Sequence, residues 1–330
     1  MTAESEFDII REIFAPLAGD APGAFGLNDD AALMDEAAYV VTNDMMIAGV
    51  HFLADDPLDL VARKLMRVNL SDLAAKGAKP VGYFLACAWP KKTRRADIEL
   101  FAKGLEEDQR AFRCALLGGD TTAHRSTEGP LTLSATFMGA PARQGLIRRA
   151  GAVSGDDLYV TGTIGDAGLG LAALSGTETF PRQDKEALTT RYRLPAPRLA
   201  LGGAIAGLAS AALDVSDGLL ADAGRLSDAS QVKLTIEAGR IPLSTAASAW
   251  LEGRKNAKTA IAKLAGFGDD YEILFIAPPA LRRSVEMAAR ASRTPVARIG
   301  SVSKGAGVAL VGAEGEEIAV KRAGYDCFAR

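Results

Sequence analysis

Apolar positions along the chain recur with both helical and strand periods, and both patterns occur in each half. Phe7, Ile10, Ile13, Phe14 and Leu17 fall at helical spacing, which predicts an opening amphipathic helix. The run 39–42 reads as a short buried strand closed by Asn43 and Asp44. Asp56-Pro57 has the form of a helix start, with Asp as N-cap and Pro in the first turn. That helix continues through Leu60, Val61, Leu65 and Val68 towards Leu73, and Gly77 and Pro80 end it. A strand over 81–88, a long amphipathic helix over 94–112, a short strand over 115–117 running into Gly118-Gly119-Asp120, and a strand over 131–137 follow.

Residues 139–156 are rich in Gly, Ala, Arg and Ser and lose the periodicity, which marks a boundary between domains at 1–140 and 150–330. Beyond it the pattern predicts strands over 158–162, 211–215 and 271–276 and near Val296 and Val308. Helices are expected over 167–174, 218–227 and 279–292, with a surface insertion over 175–186 and a polar tail ending at Tyr325. Strands and helices mix in both halves without a fixed-period repeat, the signature of a two-domain α/β or α+β chain.

Composition narrows the chemistry. The 330 residues are 48% apolar and 24% charged, enough for two cores and too apolar for wholesale disorder. A formal net charge of −3 argues against a nucleic-acid binder. The longest apolar runs, such as 81–89, are too short to span a bilayer. Residues 1–10 carry early acids and lack the basic start and apolar stretch of a secretory signal, so a cytoplasmic location is expected. Cys87, Cys114 and Cys327 form no Cys-x-x-Cys pair, which speaks against a disulfide framework or structural zinc. Two histidines, His51 and His124, leave little material for a His-based metal site or a Ser-His-Asp triad. Chemistry has to rest on carboxylates, arginines, backbone groups and bound ions.

The aspartates supply it. Asp30, Asp44, Asp120, Asp214 and Asp217 lie beside glycines or at the ends of apolar strands, where α/β folds bind ligands, and Asp72 sits on an otherwise apolar helix face. Any one of them also reads as a turn former or N-cap. Together they require cations, because two unit charges about 4 Å apart repel by roughly 4 kcal/mol at an effective dielectric near 20. An all-oxygen ligand set selects Mg²⁺, Ca²⁺ or Mn²⁺, and the EF-hand spacing is absent. Gly118-Gly119-Asp120-Thr121-Thr122 could bring backbone N–H groups to a phosphate, or form a plain tight turn. Arg148-Arg149 could clamp a phosphate or be a solvated basic pair. No P-loop or kinase-type glycine loop is present, and the glycines over 162–168 do not have the spacing of a dinucleotide fingerprint.

Six motifs in order over essentially the whole length carry a resemblance. They are Asn28-Asp29-Asp30-Ala31-Ala32; Thr42-Asn43-Asp44 with Gly49-Val50-His51-Phe52; Asn69-Leu70-Ser71-Asp72-Leu73-Ala74-Ala75; Gly118 to Thr122 as above; Leu213-Asp214-Val215-Ser216-Asp217-Gly218-Leu219; and Gly268-Asp269-Asp270-Tyr271-Glu272-Ile273. The chain resembles the thiamine-monophosphate kinase family, of the superfamily that includes aminoimidazole ribonucleotide synthetase and selenophosphate synthetase. His51 in its context and Gly324-Tyr325-Asp326 favour the thiamine branch. The resemblance implies a two-domain PurM-like fold of α/β (α+β) class, whose N-terminal domains pair into a dimeric β-barrel and whose C-terminal domain is α/β. It implies transfer of the ATP γ-phosphate to thiamine monophosphate, the last step of thiamine diphosphate biosynthesis, by a homodimer using ATP and several Mg²⁺ ions, with no nucleic-acid or membrane partner. Asp30, Thr42, Asn43, Asp44, Asp72, Asp120, Asp214 and Asp217 then fall at metal positions. Gly119, Asp120, Arg148 and Ser216 fall at ATP, and His51, Asp269 and Tyr325 at the thiamine substrate.

No general base is implied, because the acceptor phosphate is already ionised near neutral pH. Asn28, Asn43 and Asp269 depart from the usual Gly, Thr and Glu of the family. The alternatives are a sibling enzyme with another small acceptor, a catalytically silent nucleotide-binding dimer, and a metal-dependent phosphatase.

Overall fold

The computed structural model describes Phe25, residues 28–34 and residues 39–326. The helix expected over residues 7–17, and Cys327, lie outside the described residues. Two sheets organise the chain. The first half contributes β1 (Ala32–Met34), β2 (Tyr39–Ile47), β3 (Lys79–Trp89), β4 (Ala115–Ala123) and β5 (Thr132–Ala140), in the order β1-β2-β5-β3-β4. All neighbours are antiparallel except β3 and β4. Helices α1 (Leu58–Ala75) and α2 (Arg95–Phe112) cover one face. β5 alternates strictly, with Leu133, Ala135 and Phe137 buried beneath them. Phe137 stacks on Tyr83 at 4.6 Å between ring centroids.

The second half contributes β6 (Asp157–Thr161), α3 (Asp166–Leu174), α4 (Arg182–Arg193), α5 (Leu199–Ile205), β7 (Ala211–Asp214), α6 (Leu219–Ser230), β8 (Lys233–Glu237), α7 (Thr245–Glu252), α8 (Ala257–Ala265), β9 (Ile273–Ala277), α9 (Arg282–Ser292), β10 (Val296–Ser303) and β11 (Val308–Val311). Its sheet runs β11-β8-β10-β6-β9-β7. β6, β7 and β9 are buried throughout, as expected of strands covered on both faces.

α1 joins the halves. Its buried middle packs in the first core, while Ala74 and Ala75 join a cluster with Tyr159, Ile205, Ala212 and Phe275 from the second half. At Gly202 of α5 a Cβ would lie 1.9 Å from the Ala74 carbonyl oxygen, so only glycine permits this approach.

Several expectations change. β2 does not close at Asp44 but runs on through Met45, Met46 and Ile47, whose alternation continues the strand. Asp56 is not an N-cap; its carboxylate accepts from the Leu53 N–H and pairs with Arg193, and Pro57 opens the helix. The strand over 115–117 extends through the Gly-Gly-Asp motif to Ala123, so that motif is neither a tight turn nor a loop. A Cβ at Gly119 would sit 1.8 Å from the Leu85 carbonyl oxygen, which explains this glycine by strand packing. The second half of the expected insertion is α4, with Leu188 and Tyr192 buried. The helices over 199–205, 245–252 and 257–265 and the strand over 233–237 were not expected.

Candidate active site

The carboxylates converge where the two sheets meet across α1. Single oxygens of Asp30, Asp72 and Asp214 lie within 4.8 Å of one another. Each arrives on a different element: Asp30 from the turn before β1, Asp72 from the last turns of α1, Asp214 from the end of β7. Thr42, buried in β2, donates its hydroxyl to Asp72 at 2.5 Å. Asp44 faces the same side two residues on, and the Asn69 side chain of α1 holds its backbone N–H at 3.1 Å. Asp217 follows in the loop before α6. Its N–H and that of Gly218 donate to Asp222, and its carboxylate pairs with Arg225.

Electrostatics separates this cluster into two kinds of acid. Burial alone would raise Asp30, but Arg149 and then Lys76 outweigh it and bring its carboxyl down to about 2. Arg149 donates to Asp30 through Nε at 2.8 Å, and Lys76, wholly buried, lies 2.5 Å from Asp30 and 2.8 Å from Asp29. Among the described residues, no cation pairs with Asp44, Asp72 or Asp214. Burial, then the charges of Asp30 and Asp217, pushes Asp44 up to about 6. Burial and neighbouring aspartates drive Asp72 and Asp214 well above the usual carboxylate range. Burial raises Asp222 to about 7 against the opposing charge of Arg225. Positive charge in the cluster is therefore concentrated at the Asp29–Asp30 and Asp217–Asp222 ends.

Not every expected ligand joins it. The Asn43 side chain points to the opposite face of β2, where it donates to Ser134, Ala135 and Thr136. Asp120 shares a row with Ala86, Ser134 and Met45, on the face opposite Asp44. It is exposed and accepts from the Thr121 N–H. Of the Arg148-Arg149 pair, open between a phosphate clamp and a solvated pair, Arg149 is locked onto Asp29 and Asp30, while Arg148 is half exposed beside Asp29 with its guanidinium 4.1 Å from the Phe25 ring.

A second group lies next to the first. His51 accepts from the Ile47 N–H through Nδ1, and its carbonyl accepts from Lys64. Asp269 pairs with the same Lys64, and its N–H donates to the Ser216 carbonyl at 2.8 Å, tying it to the loop that carries Asp217. The Tyr325 N–H donates to the Asp217 carbonyl, and the ring is partly exposed. Tyr271 connects the groups: burial and then Asp269, Asp44, Asp214 and Asp217 all push its phenol up. Sequence reading missed Lys64, Asn69, Lys76, Asp222 and Arg225. Lys64 carried a signal, since it falls on the helical stripe of Val61, Leu65 and Val68 where a lysine must find buried partners.

Residues 28–140 match the family described as AIR synthase related protein, N-terminal domain, and residues 153–313 match its C-terminal domain. The chain is 45% identical to thiamine-monophosphate kinase of Caulobacter vibrioides over 97% of its own length and 90% of that protein. It is 35% identical to the enzyme of Escherichia coli K12 over 92% of both chains. The structure of AaThiL complexed with AMPPCP and TMP superposes with a TM-score of 0.83 at 27% identity, covering 98% of this chain and 97% of that one. The chain therefore belongs to the AIR synthase related family and, within it, to the thiamine-monophosphate kinases.

Proposed function

We infer that this chain phosphorylates thiamine monophosphate with ATP, giving thiamine diphosphate and ADP. The observation that carries the reading is the convergence of Asp30, Asp72 and Asp214 in a chain whose relatives bear that activity. The donor set fits Mg²⁺: it is all oxygen, hard, and short of positive charge at Asp44, Asp72 and Asp214. Asp30, Asp44, Asp72, Asp214 and Asp217 would hold several ions, with the Thr42 hydroxyl and the backbone at 42 and 43 as further oxygens. Asp120 belongs to the same proposal through the family pattern, with nucleotide or a second copy closing the gap. When bound, these ions neutralise the two polyanions and align an in-line displacement.

The protein's own groups do the rest. Lys76 and Arg149 keep Asp30 ionised and fixed. Gly119, Arg148 and Ser216 are the proposed ATP contacts, and the bond from the Asp269 N–H to the Ser216 carbonyl supports a nucleotide site adjoining the acceptor site. The acceptor phosphate has its second pKa near 6, so it attacks without a general base. Its thiazolium carries a positive charge that suits the Asp269 carboxylate and the face of Tyr325, with His51 as the third wall. A homodimer is supported by the uncovered face and edge of the first sheet, where Tyr39, Met45, Phe84, Leu116 and Leu117 are exposed. The proposed domains are 1–140 and 150–330. Among the described residues no helix is long and apolar enough to cross a membrane.

The test is product analysis after incubation with ATP, Mg²⁺ and thiamine monophosphate, repeated for Asp44→Asn and Asp217→Asn. Thiamine diphosphate and ADP in equal amounts are expected, with both variants strongly impaired. Undiminished turnover in both would refute the site, and product from an aminoimidazole-type or selenide acceptor instead would reassign the substrate. A covalent phosphoprotein in a single-turnover mixture would rule out direct transfer.

A further inference from the structure

Lys64 is 2% exposed, in the middle of α1, and its ammonium is used in three directions. It donates to the His51 carbonyl at 2.9 Å, donates to Asp269 Oδ2 at 3.2 Å, and lies 3.8 Å from the centroid of the Tyr192 ring. These partners come from the loop after β2, the loop before β9 and α4, so one charge joins walls contributed by both halves. Oδ2 of Asp269 takes the lysine, while 29% of that side chain remains exposed to a ligand.

The backbone around Asp269 is built to hold this geometry. Asp269 and Tyr271 both adopt left-handed φ, at +67° and +49°; aspartate tolerates this region, whereas a tyrosine seldom adopts it. Their N–H groups donate to the Ser216 and Val215 carbonyls, each at 2.8 Å, and the intervening Asp270 carboxylate accepts from the Gly165 and Ala167 N–H groups. A conformation held by this many bonds, against the backbone preference of Tyr271, is the kind concentrated at ligand sites.

We propose that Lys64 is a positioning and specificity-determining residue of the acceptor site: it fixes Asp269 against the His51 loop so that one carboxylate oxygen meets the cationic heterocycle of the substrate. The proposal rests on the reading that Asp269 and His51 line the thiamine monophosphate pocket.

The experiment is a set of steady-state kinetics on Lys64→Met, Lys64→Gln, Lys64→Arg, Asp269→Asn and the double variant Lys64→Met/Asp269→Asn, each with a thermal melt. Loss of one charge-assisted hydrogen bond corresponds to about a tenfold change. Lys64→Met and Lys64→Gln are expected to raise KM for thiamine monophosphate about tenfold, with kcat and KM for ATP within about twofold of wild type. Lys64→Arg is expected to recover part of the loss. In the Asp269→Asn background the lysine substitution should add little, because its partner is already gone. Equal shifts in both KM values, an unchanged KM for thiamine monophosphate, or full additivity with Asp269→Asn would overturn the proposal. If Lys64→Met does not fold, the glutamine variant, which keeps a donor for the His51 carbonyl, decides the matter. Asp269→Asn alone, leaving that KM unchanged, would instead overturn the assignment of the pocket and leave the tie between the two side chains standing as a structural one.

Discussion

The acid cluster and the acceptor pocket adjoin each other yet balance charge in opposite ways. In the cluster, Lys76 and Arg149 serve Asp29 and Asp30, Arg225 serves Asp217 and Asp222, and Asp44, Asp72 and Asp214 are left without a protein cation. In the pocket, one lysine meets one aspartate. The first region is therefore incomplete without added cations and spends folding stability to remain so. The second is nearly neutral and selects by geometry. Removing an uncompensated acid of the cluster should stabilise the metal-free fold, whereas removing a paired charge in either region should destabilise it.

The largest test of that contrast is Asp214→Asn. Turnover should fall by about a thousandfold or more, as expected when a metal-held electrostatic element is lost, while the metal-free protein should melt about 2–4 °C higher because a buried, uncompensated charge is gone. A lower melting temperature with EDTA would break the comparison. Lys76→Met should act in the reverse sense. Removing one partner of a buried pair costs about 3–5 kcal/mol, so the variant should unfold at markedly lower denaturant, and Mg²⁺ should recover more stability for it than for wild type.

The pH dependence comes next in size. Folded Asp44 keeps its proton up to about pH 6, whereas the unfolded group releases it near 3.8. The folded state thus binds the extra proton in that window, so this group's contribution to stability falls as pH rises from about 4 through 6, by about 3 kcal/mol at most. Asp72 and Asp214 have the same sign, and Asp30, depressed to about 2, has the opposite one, losing its contribution only as pH falls towards 2. Melts of metal-free protein should show Asp44→Asn gaining on wild type above pH 6 and matching it near pH 4, and Mg²⁺ at pH 7.5 should erase the gain. The smallest effect belongs to Asn43→Ala, whose side chain faces away from the cluster: turnover should change by less than about twofold, whereas Thr42→Val, which removes the hydroxyl held by Asp72, should lose more.

Much of this was readable from the chain. The strand at 211–214 running into acids and the helix carrying Asp72 follow from local pattern, and the family motifs name most of the aspartates. The failures share a cause. Asp44, expected to close a strand, lies inside one because Met45 to Ile47 prolong the alternation. Asn43 shares a motif with Thr42 and Asp44, and Asp120 follows its own glycine pair, but strand alternation turns both side chains to the other face. The partners of the buried lysines could not be read because they lie far away in sequence: Lys76 meets Asp29 and the Ala212 carbonyl, and Lys64 meets Asp269. Motifs record which residues recur; which charge faces which is decided by the third dimension.

The last turn of α1 has a consequence for how such a chain can be divided. Two family domains meet near residue 140, yet Ala74 and Ala75 are packed by residues beyond it, and Lys76 is capped by the carbonyl of Ala212. The seam of descent and the seam of cohesion therefore lie in different places. A fragment cut at the first would leave two alanines uncovered and Lys76 without its carbonyl partner, so exchanging halves between distant relatives requires exchanging that helix end, and the α5 surface at Gly202 that receives it, as one inherited unit.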